Sequence, residues 1–401
     1  MNPKKNILLF IFSLLGALAG FSQTITNVGT DFWIAFPPNS GPNLQIKLFI
    51  SSNYSTSGYV SSVFPGVNQS FTVTPGIVTQ LTIPFGVQLV DGTEDKGIHV
   101  TSNDPISLYG VNTAVASADA FLALPVNALG LDYRIVTYKT TFNLGAPSSF
   151  SVVAVQDGTE LTIFNHQTNS TSTVQLHIGQ TYHVRGQNMD DDMTGSRVQS
   201  NVPVAVFGSA PLVYLPAGCA AGDHIVEQMF PYYSWGKNFV TVSLAGRDAS
   251  GDIFRVVAAE DATNISINGS AVATINAGDY YETNLTGNNS ITTSKATILA
   301  QFAKGQWCSG MTTGDPMMML IPPREQFLTN YTISIVDGFS SWVNIVAPDY
   351  AIGTIYQDGV LIPTSAFSPV PSTTYFGAQR PVTPGSHTFT SVSPFGVFVY
   401  G

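Results

Sequence analysis

Short runs of alternating apolar and polar residues, rich in Val, Ile, Thr, Phe and Tyr, recur along the chain between Gly, Pro, Asn and Asp. Ser151-Val-Val-Ala-Val155, Leu161-Thr-Ile-Phe164, Thr241-Val-Ser-Leu244 and Thr388-Phe-Thr390 are examples. A period of two turns one face of a strand to a core and the other to water. No stretch sustains the longer period of a helix, so helix is confined to short turns near residues 123–129 and 323–328. Gln156-Asp-Gly-Thr159 and Tyr356-Gln-Asp-Gly359 place Asp-Gly between apolar flanks, which predicts two tight hairpins.

The pattern also repeats over a longer distance. Asp31-Phe-Trp-Ile-Ala-Phe-Pro-Pro38 opens one unit, and Asp119-Ala-Phe-Leu-Ala-Leu-Pro125 opens a second. Asp223-His-Ile-Val-Glu-Gln-Met-Phe-Pro231 and Asp315-Pro-Met-Met-Met-Leu-Ile-Pro-Pro323 open two more. Each unit closes on a related phrase: Ser102-Asn-Asp-Pro-Ile-Ser-Leu-Tyr-Gly110, Ser200-Asn-Val-Pro-Val-Ala-Val-Phe-Gly208, a weaker copy from Ser294 to Phe302, and Ser393-Pro-Phe-Gly-Val-Phe-Val-Tyr-Gly401. The expected architecture is all-β, with four tandem antiparallel sandwich or barrel-like modules of roughly 90–100 residues, closely packed through short linkers. Their expected spans are residues 23–113, 114–210, 211–304 and 305–401. Ring and rod arrangements both satisfy the spacing. A propeller is disfavoured, since a blade needs only about half this length.

The N-terminus sets the compartment. Lys4 and Lys5 precede an apolar stretch over residues 7–19, too short to span a bilayer, and Gly20-Phe21-Ser22 offers a cleavage site. Residues 1–22 therefore read as a signal peptide, the mature chain is expected to be secreted or held at a cell surface, and no membrane insertion of it is expected. With 15 Lys+Arg against 25 Asp+Glu and only 10% charged residues, nucleic acid is a poor partner. Two cysteines, Cys219 and Cys308, exclude a disulfide scaffold and leave both a single bridge and two free thiols open.

Catalytic phrases are missing: there is no Gly-x-Ser-x-Gly elbow, His-Glu-x-x-His or phosphate-cradling loop. No cofactor or metal is expected. His224 and Glu227 have helical metal-ligand spacing but fall on an extended segment, where positions i and i+3 face opposite ways. Asp190-Asp191-Asp192 reads as a solvated loop rather than a calcium site. Asp31, Asp119, Asp223 and Asp315 recur once per unit, which suits a turn-capping structural role better than catalysis. Tyr232, Tyr233, Trp235 and Trp307 are the binding candidates, because aromatics offer large contact area and stack on sugars. Met317 to Met319 align with a core strand.

Several of these phrases resemble the IgGFc-binding protein N-terminal domain family. They are Gly29-Thr-Asp-Phe-Trp-Ile-Ala-Phe36, Phe121-Leu-Ala-Leu-Pro-Val-Asn-Ala-Leu-Gly130 with Tyr133-Arg-Ile-Val136, Thr194-Gly-Ser-Arg-Val-Gln-Ser-Asn201, Asp223-His-Ile-Val-Glu-Gln228, Ala245-Gly-Arg247 and residues 315–326. The resemblance covers about residues 29–401 and, with this signal-peptide style, suggests a bacterial member. Relatives carry further cysteines near Cys219 where this chain has Gly222, so the resemblance favours pairing of Cys219 with Cys308. It implies a non-enzymatic binding or adhesion protein whose partner is a host or matrix glycoprotein such as mucin or IgG Fc. A structural envelope or stalk protein is the alternative, and a glycan-active enzyme a more distant one.

Overall fold

The computed structural model of the chain describes residues 27–140, 147–219, 221–247, 249–312 and 314–401. The expected signal peptide lies outside these residues. The described residues form four antiparallel sheets of seven, eight, seven and seven strands.

One plan recurs in all four. A lead strand (Gly29–Ile34, Gly130–Arg134, Gly236–Thr241, Leu328–Ile335) is followed by an inner strand (Gln45–Ser51, Ser149–Ala154, Asp252–Ala258, Trp342–Pro348). Each module then reaches a long strand: Ile98–Ala114, Arg197–Val213, Asn289–Ala303 or Gly385–Tyr400. The first half of the long strand pairs with the lead strand and the second half with the inner strand, so it belongs to both layers. The recurrent Ser-to-Gly phrase is the corner where it changes layers. Register shifts in every lead-strand pairing fall there, and a proline occupies the corner at Pro105, Pro203 and Pro394. Proline removes a ladder donor and tolerates such a bend. A hydroxyl holds the corner from inside: Ser102, Ser200 and Thr293 each donate to the carbonyl two residues on, at 2.6–2.8 Å.

The strands that seemed to open modules do something else. Ser117–Leu122, Asp223–Gln228 and Met317–Ile321 pair with the long strand before them, completing that strand's sheet. We call them bridging strands. The expected boundary at 113/114 thus separates two hydrogen-bonded strands of one sheet. Each bridging strand runs into a proline-led 3-10 turn, Val126–Ala128, Tyr232–Ser234 or Arg324–Gln326, and then into the next lead strand. The prolines Pro125, Pro231 and Pro323 lie against Gly29, Gly130 and Gly236, where a Cβ would come within 2.4–2.5 Å of the ring. Each clasp ties the lead strand of one module to the turn entering the next.

One hairpin expectation is also corrected. Tyr356 and Gln357 do pair with Leu361 and Val360 across Asp358-Gly359, both in the left-handed region. The strands either side of 156–159 do not pair with each other. Both pair with the long strand Arg197–Val213, so that turn carries the chain between layers.

The cores run between modules. Val153, Ala205 and Phe207 of module 2 join the cluster around Phe32 and Leu48, and Ile298, Phe302 and Met318 join that around Tyr133 and Phe150. Val346 and Phe398 of module 4 join the cluster around Phe239 and Phe254. Module 4 then returns to module 1. The Thr332 carbonyl accepts from Ser107 Oγ (3.1 Å) and Asn27 Nδ2 (3.0 Å), and Ser334 donates to Ser51 Oγ (2.8 Å). The four modules form a closed ring.

Candidate functional site

The four aromatic candidates divide. Tyr232 and Tyr233 stand on the 3-10 turn between modules 2 and 3, at 37% and 43% exposure. Their hydroxyls donate to Glu260 (3.2 Å) and to the Ala128 carbonyl (2.7 Å). Trp235 contradicts the surface expectation. Its indole is 8% exposed, packs edge-to-face against Tyr232 and donates to the Phe230 carbonyl at 3.0 Å, which makes it part of the core between modules 2 and 3. Trp307 is the opposite case, 65% exposed with φ +69°. Cys308 beside it is bonded to Cys219, with 6.0 Å between the Cα atoms, so the Trp307 loop is pinned to the segment leading out of module 2. Among the described residues no contact joins Trp307 to Tyr232 or Tyr233. Tyr350 (70% exposed) and Tyr54 lie more open than either of those tyrosines, and the sequence reading missed both; their turn positions beside Pro348-Asp349 and Ser51-Ser52-Asn53 were the available signal.

The recurrent aspartates are not equivalent. In register with Asp31 stand Asp132, Asn238 and Asn330, opposite Thr101, Gln199, Thr292 and Thr390. Asp31 meets His99 Nε2 at 2.8 Å, and that imidazole stacks on Trp33 with 4.3 Å between centroids. Asp132 meets Arg197 at 2.8 Å. Asp119 and Asp223 instead lie on neighbouring bridging strands and serve each other's strand. Asp119 accepts from Val226 N–H (2.8 Å), and Asp223 accepts from Ala118 N–H (2.9 Å). Gln228 accepts from Leu124 N–H at 2.9 Å, and Glu227 accepts from the Leu320 amide. These side chains satisfy backbone donors on strand edges that no ladder covers. Burial away from bulk water pushes Asp223 up to about 7, Glu227 up to about 8 and Asp119 well above its usual range. Asp315 lines the same space near Arg247.

Other expectations shift too. The Asp190-Asp191-Asp192 run is not a solvated loop throughout: Asp191 and Asp192 are buried. Asp191 accepts from the amides of Gln187 and Asn188 at 2.7 and 2.9 Å. Asp192 meets Arg255 at 2.8 Å, and that guanidinium also reaches Glu282 and the Thr137 carbonyl between the rings of Tyr138 and Tyr280. Arg255 escaped the sequence reading because it sits inside an otherwise apolar strand. His224 points back to the Ala210 carbonyl (2.9 Å) while Glu227 lines a cavity, as opposite faces of a strand require.

That cavity, about 770 Å³, is lined by residues from all four sheets, among them Tyr109, Gln228, Met318 and Tyr331. The three bridging strands form part of its wall, and residues 397–400 of the last long strand, with Gly401 after it, form another part. Asp119, Asp223, Glu227 and Asp315 line this cavity together with Arg247.

The sequence profile of the family described as IgGFc binding protein matches residues 119–401. The human IgGFc-binding protein is 24% identical over 372 residues, which is 88% of this chain and 7% of that protein. The chain therefore spans a small fraction of that relative's length. Among solved structures, a glycoside hydrolase family 32 protein from Bifidobacterium adolescentis aligns over 92% of this chain and 99% of its own. It does so at 8% identity and a TM-score of 0.16, which supports neither a shared fold nor a shared activity. With that match over more than half of its length, the chain belongs to the IgGFc-binding protein family.

Proposed function

We propose that the chain is an exported binding protein that recognises a glycoprotein through loop-borne aromatics and performs no covalent chemistry. The observation that carries this is Trp307, held open on a loop pinned by the Cys219–Cys308 bond. A large apolar ring on a constrained loop binds without a large ordering penalty. Tyr232 and Tyr233 form a second exposed aromatic surface, and a sequence relative is named for binding IgG Fc. Asp119 and Asp223 are already engaged by backbone amides, which suits architecture rather than acid–base work. We take the four sheets, three of them with a bridging strand, as the modules of this protein.

The test is saturable binding of purified residues 23–401 to immobilised mucin and to IgG Fc. Trp307→Ala is expected to weaken binding by about 2 kcal/mol, as loss of an aromatic anchor does, with unchanged thermal unfolding. Binding that is unaffected by Trp307→Ala and by Tyr232→Ala with Tyr233→Ala sinks the reading.

A further inference from the structure

The cavity beside the bridging strands carries a charge imbalance. Asp119, Asp223, Glu227 and Asp315 line it, and among the described residues Arg247 is the only cationic side chain in its wall. Every Lys and Arg of residues 23–401 lies among the described residues, so the remainder of that stretch supplies no further cation. Arg247 is also drawn elsewhere: it donates to the Lys304 carbonyl and interacts with Asp252 as well as Asp315. Asp119 is the common neighbour, interacting with both Glu227 and Asp223, and the Tyr109 phenol also interacts with Glu227. The two backbone amides that reach Asp223 both meet Oδ1. Burial, with like charges around Asp119 and Asp223, holds these carboxyls toward their neutral form.

A second group in the wall points to a ligand independently. Gln228 lines the cavity and is 1% exposed. Its Oε1 accepts from the Leu124 amide at 2.9 Å, while its Nε2 has no hydrogen-bond partner. A buried donor without an acceptor costs about 1–3 kcal/mol, so the wall calls for an oxygen as well as a cation. Much of the rest is apolar, with Leu122, Leu320 and Phe398 among it, and about 770 Å³ falls in the size range of ligand cavities.

We propose that this cavity binds a small amphipathic primary amine, whose ammonium meets the carboxyl cluster and whose hydroxyl or carbonyl oxygen accepts from Gln228. The ammonium sits among Asp119, Asp223 and Glu227, where a carboxylate oxygen already bonded to one amide still has a lone pair to offer. Charge pairing in such an enclosure is stronger than at the surface. Asp223 and Glu227, pushed up to about 7 and about 8, hold protons below those values and must release them to meet the cation. Binding therefore tightens as pH rises through that window. None of this rests on the glycoprotein reading.

Isothermal titration calorimetry on purified residues 23–401, with three probes of one shape, tests the proposal. Tyramine carries the ammonium and a hydroxyl, 2-phenylethylamine lacks the hydroxyl, and 3-(4-hydroxyphenyl)propionate has a carboxylate in place of the ammonium. Tyramine is expected to bind, 2-phenylethylamine about fivefold more weakly and the propionate at least about tenfold more weakly. Glu227→Gln should weaken tyramine about tenfold and flatten its pH dependence. The probe series on the parent protein decides the matter should that variant not fold. Hydrogen exchange locates the site: tyramine should slow the amides of Ala118 and Val226, which the cluster holds, and leave those at 253–257 unchanged. Trp307→Ala should not alter tyramine binding, so failure of the surface reading and failure of this one are separable. The proposal is overturned if tyramine binds more weakly than about 1 mM, as it would were residues 23–26 to fill the cavity. It is overturned equally if the three probes bind alike, or if bound tyramine slows no amide of the bridging strands.

Discussion

The contact between modules 2 and 3 and the contact between modules 4 and 1 close the same ring by different means. At the first, Tyr133, Phe150, Ile298 and Met318 share one core, Arg255 crosses to Asp192, and Cys219 is bonded to Cys308. At the second no core cluster is shared among the described residues: the module 4 cluster around Val343 and Phe389 contains module 4 residues alone. Hydroxyl and amide hydrogen bonds at Thr332, Ser334, Ser107, Ser51 and Asn53 make the closure. Neutral hydrogen bonds contribute about 1 kcal/mol each, against several for a shared apolar core. The ring is therefore welded at one contact and latched at the other.

Removing the weld should produce the largest effect. Arg255→Ala leaves Asp192 buried without its partner and strips the guanidinium from between two tyrosine rings. A loss of about 3–5 kcal/mol is expected in denaturant unfolding. A loss below about 1 kcal/mol would mean the 2/3 contact is not the strong one.

Acid should act next, and on module 2. Burial holds His183 and His224 down to about 4, below the value of about 6.5 for a free imidazole. Both are neutral in the folded protein and gain a proton more readily when unfolded. Their contribution is complete above pH about 6.5 and is lost as pH falls toward 4, by about 2–3 kcal/mol each. Unfolding measured across that window in His224→Gln should show a shallower pH slope than the parent protein.

The smallest effect belongs to the latch. Ser107→Ala deletes the hydroxyl shared by Asn27 and Thr332 and should cost about 0.5–1.5 kcal/mol. Its sharper readout is local: amides around 331–334 should exchange faster while those at 253–257 do not change. Equal acceleration at both contacts would erase the distinction between weld and latch.

The fold was largely legible. Alternation showed strands, and the repeated Ser-to-Gly phrase fell on the corner of all four long strands, with a proline at three of the corners and, at three, a hydroxyl that bonds the carbonyl two residues on. The Asp-to-Pro phrase was misjudged in two ways. Its proline is the true repeat, since Pro125, Pro231 and Pro323 each fill the space left by a glycine, whereas its aspartates occupy different registers. Three of its four copies also end a sheet rather than beginning one, because a strand adjacent in sequence to two sheets carries no mark of the one it joins. The candidate site was only partly legible. Trp235 and Trp307 are chemically alike in the sequence; one fills a core and the other stands on a pinned loop.

Local order along the chain determined four β modules of similar length, short linkers and the residues that turn each corner. These depend on spacing, and spacing is written in sequence. Tertiary structure alone decided that the modules close into a ring and that carboxylates from one bridging strand satisfy the amides of the next. Each of those facts depends on residues more than a hundred positions apart meeting in space, as Thr332 meets Ser107, and no local pattern records such a meeting.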